Sequence, residues 1–60
     1  MELESVFLVN GMFYTVGTNK VSRIFMFNNE TSMTHVTIKD RTLREETVIK
    51  IPYHSVLYYI

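Results

Sequence analysis

Asn10-Gly11 stands between two runs rich in β-branched and aromatic residues, Val6-Phe7-Leu8-Val9 and Met12-Phe13-Tyr14-Thr15-Val16. Both turn residues tolerate positive φ, so an Asn-Gly pair in this setting is the strongest short-range signal for a β-hairpin. It commits the start of the chain to two antiparallel strands. Gly17-Thr18-Asn19-Lys20 then reads as a second turn or a bulge, residues 21–27 as a strand, and Asn28-Asn29-Glu30-Thr31-Ser32 as a polar turn. Ile24-Phe25-Met26-Phe27 is apolar at both parities, which predicts a cover on both of its faces. Residues 33–38 alternate, with Thr34, Val36 and Ile38 on one face and Met33, His35 and Thr37 on the other. Residues 39–47 hold most of the remaining charge. Thr42-Leu43-Arg44-Glu45 matches a capping box, but a lone helical turn is poorly stable and a solvated loop is expected. Val48-Ile49-Lys50-Ile51 and residues 56–60 read as the last two strands. Between them Pro52 interrupts the ladder, because it has no N–H to donate.

Composition agrees. The chain has no alanine, the best helix former, and is rich in the side chains that suit a pleated, half-buried surface. An all-β class follows. Sixty residues make one domain, 1–60, which buries only about 60% of the surface its unfolded chain exposes. Such a core is marginal, and disulfides, a metal or oligomerisation are the usual remedies. With no cysteine, disulfides and thiolate metal sites are excluded. Five short strands bury one face only by bending round on themselves. The expected architecture is a small, five-stranded, strongly bent antiparallel barrel of the SH3-like or Sm-like kind. Residues 12–27 would form its long second strand, with Gly17 at the bend.

Several functions are excluded. At 47% hydrophobic residues the chain is too apolar for disorder. Six basic and six acidic residues cancel, which argues against nucleic-acid binding by bulk charge alone. No apolar run approaches a membrane span and no basic–apolar–small signal opens the chain, so the expected compartment is the cytoplasm, with no membrane partner. Residues 11–20 hold two glycines and a lysine without the ending of a phosphate-binding loop. Asn29-Glu30-Thr31 matches a glycosylation sequon and reads as part of a turn. His35 and His54, with Glu30 or Glu45, lack any short metal-ligand spacing. Ser55 and His54 are neighbours whose side chains point apart on a strand, which rules out a nucleophile–base pair. A non-enzymatic protein without cofactor or metal is expected.

Val6-Phe7-Leu8-Val9-Asn10-Gly11 resembles the first strand and turn of the Hfq family of bacterial Sm-like RNA-binding proteins. Tyr53-His54-Ser55-Val56-Leu57 resembles that family's tyrosine-lysine-histidine signature. His54 stands at its lysine position and Ser55 at its histidine position. The resemblance implies an Sm-like barrel that assembles as a ring and binds RNA or nucleotides between subunits.

Four phenylalanines and four tyrosines are more rings than so small a core needs. Tyr53 can stack on a base, His54 can donate to a base edge or phosphate, and Lys50 and Arg23 can hold a nucleic-acid backbone. These four are the candidate nucleic-acid-binding residues. The second candidate surface is the last strand. Val56, Leu57, Tyr58, Tyr59 and Ile60 are apolar or aromatic without interruption, and no charge appears from Ile51 onward. Such a strand needs a cover or a pairing partner along its edge. A homo-oligomer or a protein partner is therefore expected through it. The alternative to an RNA-binding Sm-like module is a small inhibitor, of the phage counter-defence or antitoxin type, that blocks another protein by direct binding. A purely structural subunit is a third reading.

Overall fold

The computed structural model describes residues 1–27, 33–39 and 45–60, and at Met33 the backbone. The expected polar turn and sequon at residues 28–32 and the capping-box residues 42–44 lie outside these. Among the described residues seven strands form: β1 (Glu2–Leu3), β2 (Ser5–Leu8), β3 (Phe13–Thr15), β4 (Val21–Met26), β5 (Met33–Lys39), β6 (Glu46–Pro52) and β7 (Val56–Tyr59). A 3₁₀ turn, Tyr53–Ser55, joins β6 to β7. All pairing is antiparallel, in a four-stranded sheet of order β1-β4-β5-β6 and a three-stranded sheet of order β3-β2-β7. The all-β class is as expected. In place of one closed barrel there are two sheets that share a corner.

That corner is Glu4, the one residue between β1 and β2. Its N–H donates to the Ile60 carbonyl (2.7 Å), and its carbonyl accepts from the Val16 N–H (2.9 Å). One extended stretch thus serves both sheets. The expected long second strand is likewise divided, into β3 and β4. Between them the Thr18 N–H donates to the Thr15 carbonyl (3.1 Å) and the Gly17 N–H to the Val21 carbonyl (2.9 Å). Gly17, Asn19 and Lys20 all take positive φ there (90°, 47° and 65°). Three left-handed residues so close together make a loop that leaves the sheet, and a simple bend of one strand needs no such loop. Seven strands therefore arise from the five expected chain segments.

The Asn10-Gly11 hairpin forms, by a different turn from the one its residues suggest. Only Gly11 has positive φ (89°). The Gly11 N–H donates to the Leu8 carbonyl (3.1 Å), and the Leu8 N–H donates to the Met12 carbonyl (2.8 Å). This is a three-residue loop, a turn closed by a left-handed glycine. Asn10 acts through its side chain, whose Oδ1 accepts from the Met12 N–H at 2.9 Å.

Leu3, Val6, Leu8, Val21, Ile24, Met26, Val36 and Ile51 form the core, with Tyr14, Ile38, Ile49 and Val56 packed against it. Alternation explains most of this set, and a bulge explains the rest. Val21 pairs with Ile38 but Arg23 pairs with Thr37, so Ser22 is an extra residue on β4. The bulge changes parity. Val21 faces inward with Ile24 and Met26, and Arg23 and Phe25 face outward. Among the described residues, the predicted cover on both sides of residues 24–27 is not there. Phe25 is half-buried and Phe27 is 40% exposed, and neighbouring side chains of the same face shield them in place of a second layer.

Candidate binding surfaces

The outer face of the four-stranded sheet gathers rings and cations. Register places Glu2 opposite Phe25, Phe25 opposite His35, and His35 opposite Lys50, a row across all four strands. The Arg23 guanidinium lies over the Phe25 ring, 4.5 Å from its centroid. It also faces the Glu2 carboxylate at 3.6 Å. Phe25 and Phe27 sit 6.1 Å apart, and Phe27 meets the His35 ring at 4.7 Å and 58°. Each link is worth little alone: an exposed cation–π contact contributes about 0.5–1 kcal/mol and an exposed ion pair about 0–1 kcal/mol. Together they align an arginine and three rings on one surface. At the far end of the face Lys39 pairs with Glu46 at 3.6 Å. Lys50 has no such acidic partner among the described residues.

Of the four candidate nucleic-acid residues, Arg23 and Lys50 lie on this face, on opposite sides of β5. Tyr53 and His54 lie beyond Pro52 in the 3₁₀ turn, exposed, where the Tyr53 carbonyl accepts from the Val56 N–H. No ring contact or side-chain hydrogen bond joins either to Arg23 or Lys50 among the described residues. The candidate set thus divides into a sheet face and the adjoining turn. Phe25, Phe27 and His35 are new to it. Their signal was the odd-numbered parity they share with Arg23 along residues 23–27, and the opposite parity of His35 to Val36.

The outer face of the three-stranded sheet has a second row. Phe7 pairs with Phe13 on one side and Tyr58 on the other. The rings stack in order, Phe13 to Phe7 at 5.8 Å and Phe7 to Tyr58 at 4.3 Å with 13° between planes. Phe13 and Tyr58 remain 58% and 52% exposed. Beside them the Ser5 and Thr15 hydroxyls share a 3.0 Å hydrogen bond.

The expected interface strand is divided as well. Val56 packs against the core, and Leu57, Tyr58, Tyr59 and Ile60 are exposed. Phe7 pairs with Tyr58 and Leu8 with Val56, so Leu57 is the extra residue of a bulge and stands 64% exposed. Among the described residues β7 pairs with β2 alone, which leaves its other edge open there.

No group of three or more His, Asp or Glu side chains able to hold a metal occurs among the described residues. No helix among them is long and apolar enough to cross a membrane. Comparison with protein-family models, curated proteins and solved structures finds no match to this chain.

Proposed function

We propose that this chain is a non-enzymatic, cytoplasmic binding module of Sm-like architecture, which assembles through the open edge of β7 and binds RNA or nucleotides. Its five segments pair in the order of an SH3-like or Sm-like barrel. The last lies beside the first, the first beside the second, and the third and fourth follow in turn. The observation that carries the reading is β7. Its unpaired N–H and C=O groups run beside Leu57 and Ile60, each 64% exposed, and beside two exposed tyrosines. An open, greasy edge strand is a template for another strand. The other sheet ends in β1 and β6, of which β6 is the longer at seven residues, so a β7-to-β6 contact between chains joins two different edges. Repetition of such a head-to-tail contact gives a ring where the rotation per subunit closes, and an open filament where it does not.

Light scattering on the eluting protein tests the assembly, and retention on an oligonucleotide at rising salt tests the ligand. A stable monomer at micromolar concentration overturns the first half, and salt-independent or absent retention the second. The alternative, an inhibitor or antitoxin, is favoured by the zero net charge, which gives weak long-range attraction for RNA. It predicts a stable complex of β7 with a different protein and no oligonucleotide retention.

A further inference from the structure

The four-stranded sheet carries the more specific surface. Resting on the nucleic-acid reading above, we infer that its outer face is a stacking platform for single-stranded nucleic acid, with Phe27 and the Arg23 guanidinium as the stacking planes, His35 between them and Lys50 as the backbone contact.

Base faces are apolar and polarisable, and stack on aromatic rings or on planar guanidinium groups. Phe27 offers a ring that is 40% exposed and braced from two sides, by Phe25 and by His35. Bracing matters, because a ring already fixed loses little freedom when a base lands on it. Arg23 offers the second plane. Its guanidinium carbon lies over the Phe25 ring, 4.5 Å from the centroid, and its side chain is 60% exposed. Both planes stand on the same side of β4.

Charge selects the ligand. On this face the acids among the described residues are Glu2 and Glu46, and each already lies 3.6 Å from a cation. Lys50 projects from the same row as His35, one strand further on, and has no acidic partner among the described residues. The row from Phe25 across His35 to Lys50 spans two strand spacings, about 10 Å. A base over the rings thus leaves its phosphates within the lysine's reach. A duplex does not fit, because its bases are not free to lie flat on a sheet. An apolar protein segment gains nothing from the lysine. Tyr53 and His54 lie exposed in the turn that follows β6.

The test is fluorescence anisotropy of the full chain with labelled oligouridylate, oligothymidylate and a duplex of equal length. The native chain should bind both single strands and prefer neither strongly, with the duplex much weaker. Phe27→Leu keeps an apolar side chain and removes the ring, so the fold survives while affinity for the single strands falls about tenfold. Lys50→Glu should lower affinity further at low salt and flatten the salt dependence by about one to two phosphate contacts. Circular dichroism checks that each variant remains folded. If the native chain binds and Phe27→Leu, Arg23→Met and Lys50→Glu all bind equally well, the platform is wrong and the site lies at Tyr53 and His54. If the native chain binds no single strand, the nucleic-acid reading and this inference fall together. Preference for the duplex overturns the inference alone.

Discussion

The outer faces of the two sheets are built from the same kind of ring and differ in what lies among the rings. On the four-stranded sheet, Phe25, Phe27 and His35 are interleaved with Arg23 and Lys50. On the three-stranded sheet, Phe13, Phe7 and Tyr58 stack as an unbroken row, with the Ser5–Thr15 hydroxyl pair beside them. A cation makes an apolar surface selective for an anion, and its absence leaves a surface that sheds water against any apolar partner. The first face is therefore suited to a ligand with flat rings and phosphates. The second continues into the exposed edge of β7 and is suited to a neighbouring chain. Two sheets sharing one core thus give a protein of sixty residues two surfaces that need not compete.

The comparison breaks most visibly at β7. Leu57→Glu puts a charge into the bulge of the open edge. If that edge is an interface, a buried, unpaired carboxylate should weaken assembly by about 3–5 kcal/mol. Sedimentation should then report a monomer at concentrations where the native chain is assembled, with the binding of a short oligonucleotide per chain unchanged. Loss of both would mean that the two faces form one site.

The next largest effect separates the rings themselves. Phe7 is the half-buried centre of a stack, and Phe27 is an exposed ring at the end of a strand. Phe7→Ala should cost about 2–3 kcal/mol in urea unfolding, from lost burial and two ring pairs. Phe27→Ala should cost about 1 kcal/mol or less. Equal costs would show that the face with cations is as much a structural element as the face without.

How far these faces could be read from residue order differs between them. Strand positions were legible, because residues 33–38 alternate cleanly and turn residues bracket the other runs. β1 was not. Two residues have no period, and Glu4 carries no turn signal. The face of β4 was hidden by its apolar run at both parities. Ile24-Phe25-Met26-Phe27 looks the same whether a second layer covers it or its own outward rings meet a histidine. Arg23 and Lys50 were legible as cations among strands. Their neighbours were not, because register decides that His35 lies between Phe25 and Lys50, and register is a long-range property. The bulges at Ser22 and Leu57 decide which side chains reach solvent, and neither residue is of a type that announces a bulge.

Between the two faces lies one polar atom that belongs to neither. The Thr34 hydroxyl is fully buried, with no hydrogen-bond partner among the described residues. Valine has the same shape without the desolvated oxygen. Thr34→Val should raise stability by about 1 kcal/mol in denaturant unfolding and leave assembly and oligonucleotide binding as they were. A loss of stability would reveal a partner for that hydroxyl, such as a buried water.

The smallest expected effect gives the finest test of why the faces differ. Among the described residues Glu2 is the acid beside the Arg23–Phe25 pair, 3.6 Å from the guanidinium, and both side chains are more than half exposed. As an ion pair it should contribute no more than about 0.5 kcal/mol to folding, so Glu2→Gln should barely move the unfolding midpoint. Toward a phosphate it acts in the opposite sense. A carboxylate about 7 Å from a bound anion repels it by about 0.6 kcal/mol in water, and its removal also frees Arg23 to turn toward the ligand. Glu2→Gln should therefore strengthen oligonucleotide binding by about two- to threefold at low salt, with the gain fading as salt screens the charge. Stability and binding would then respond differently to one substitution. An affinity that falls would mean that Glu2 holds Arg23 in its binding position, and that the ion pair is part of the platform rather than a brake on it.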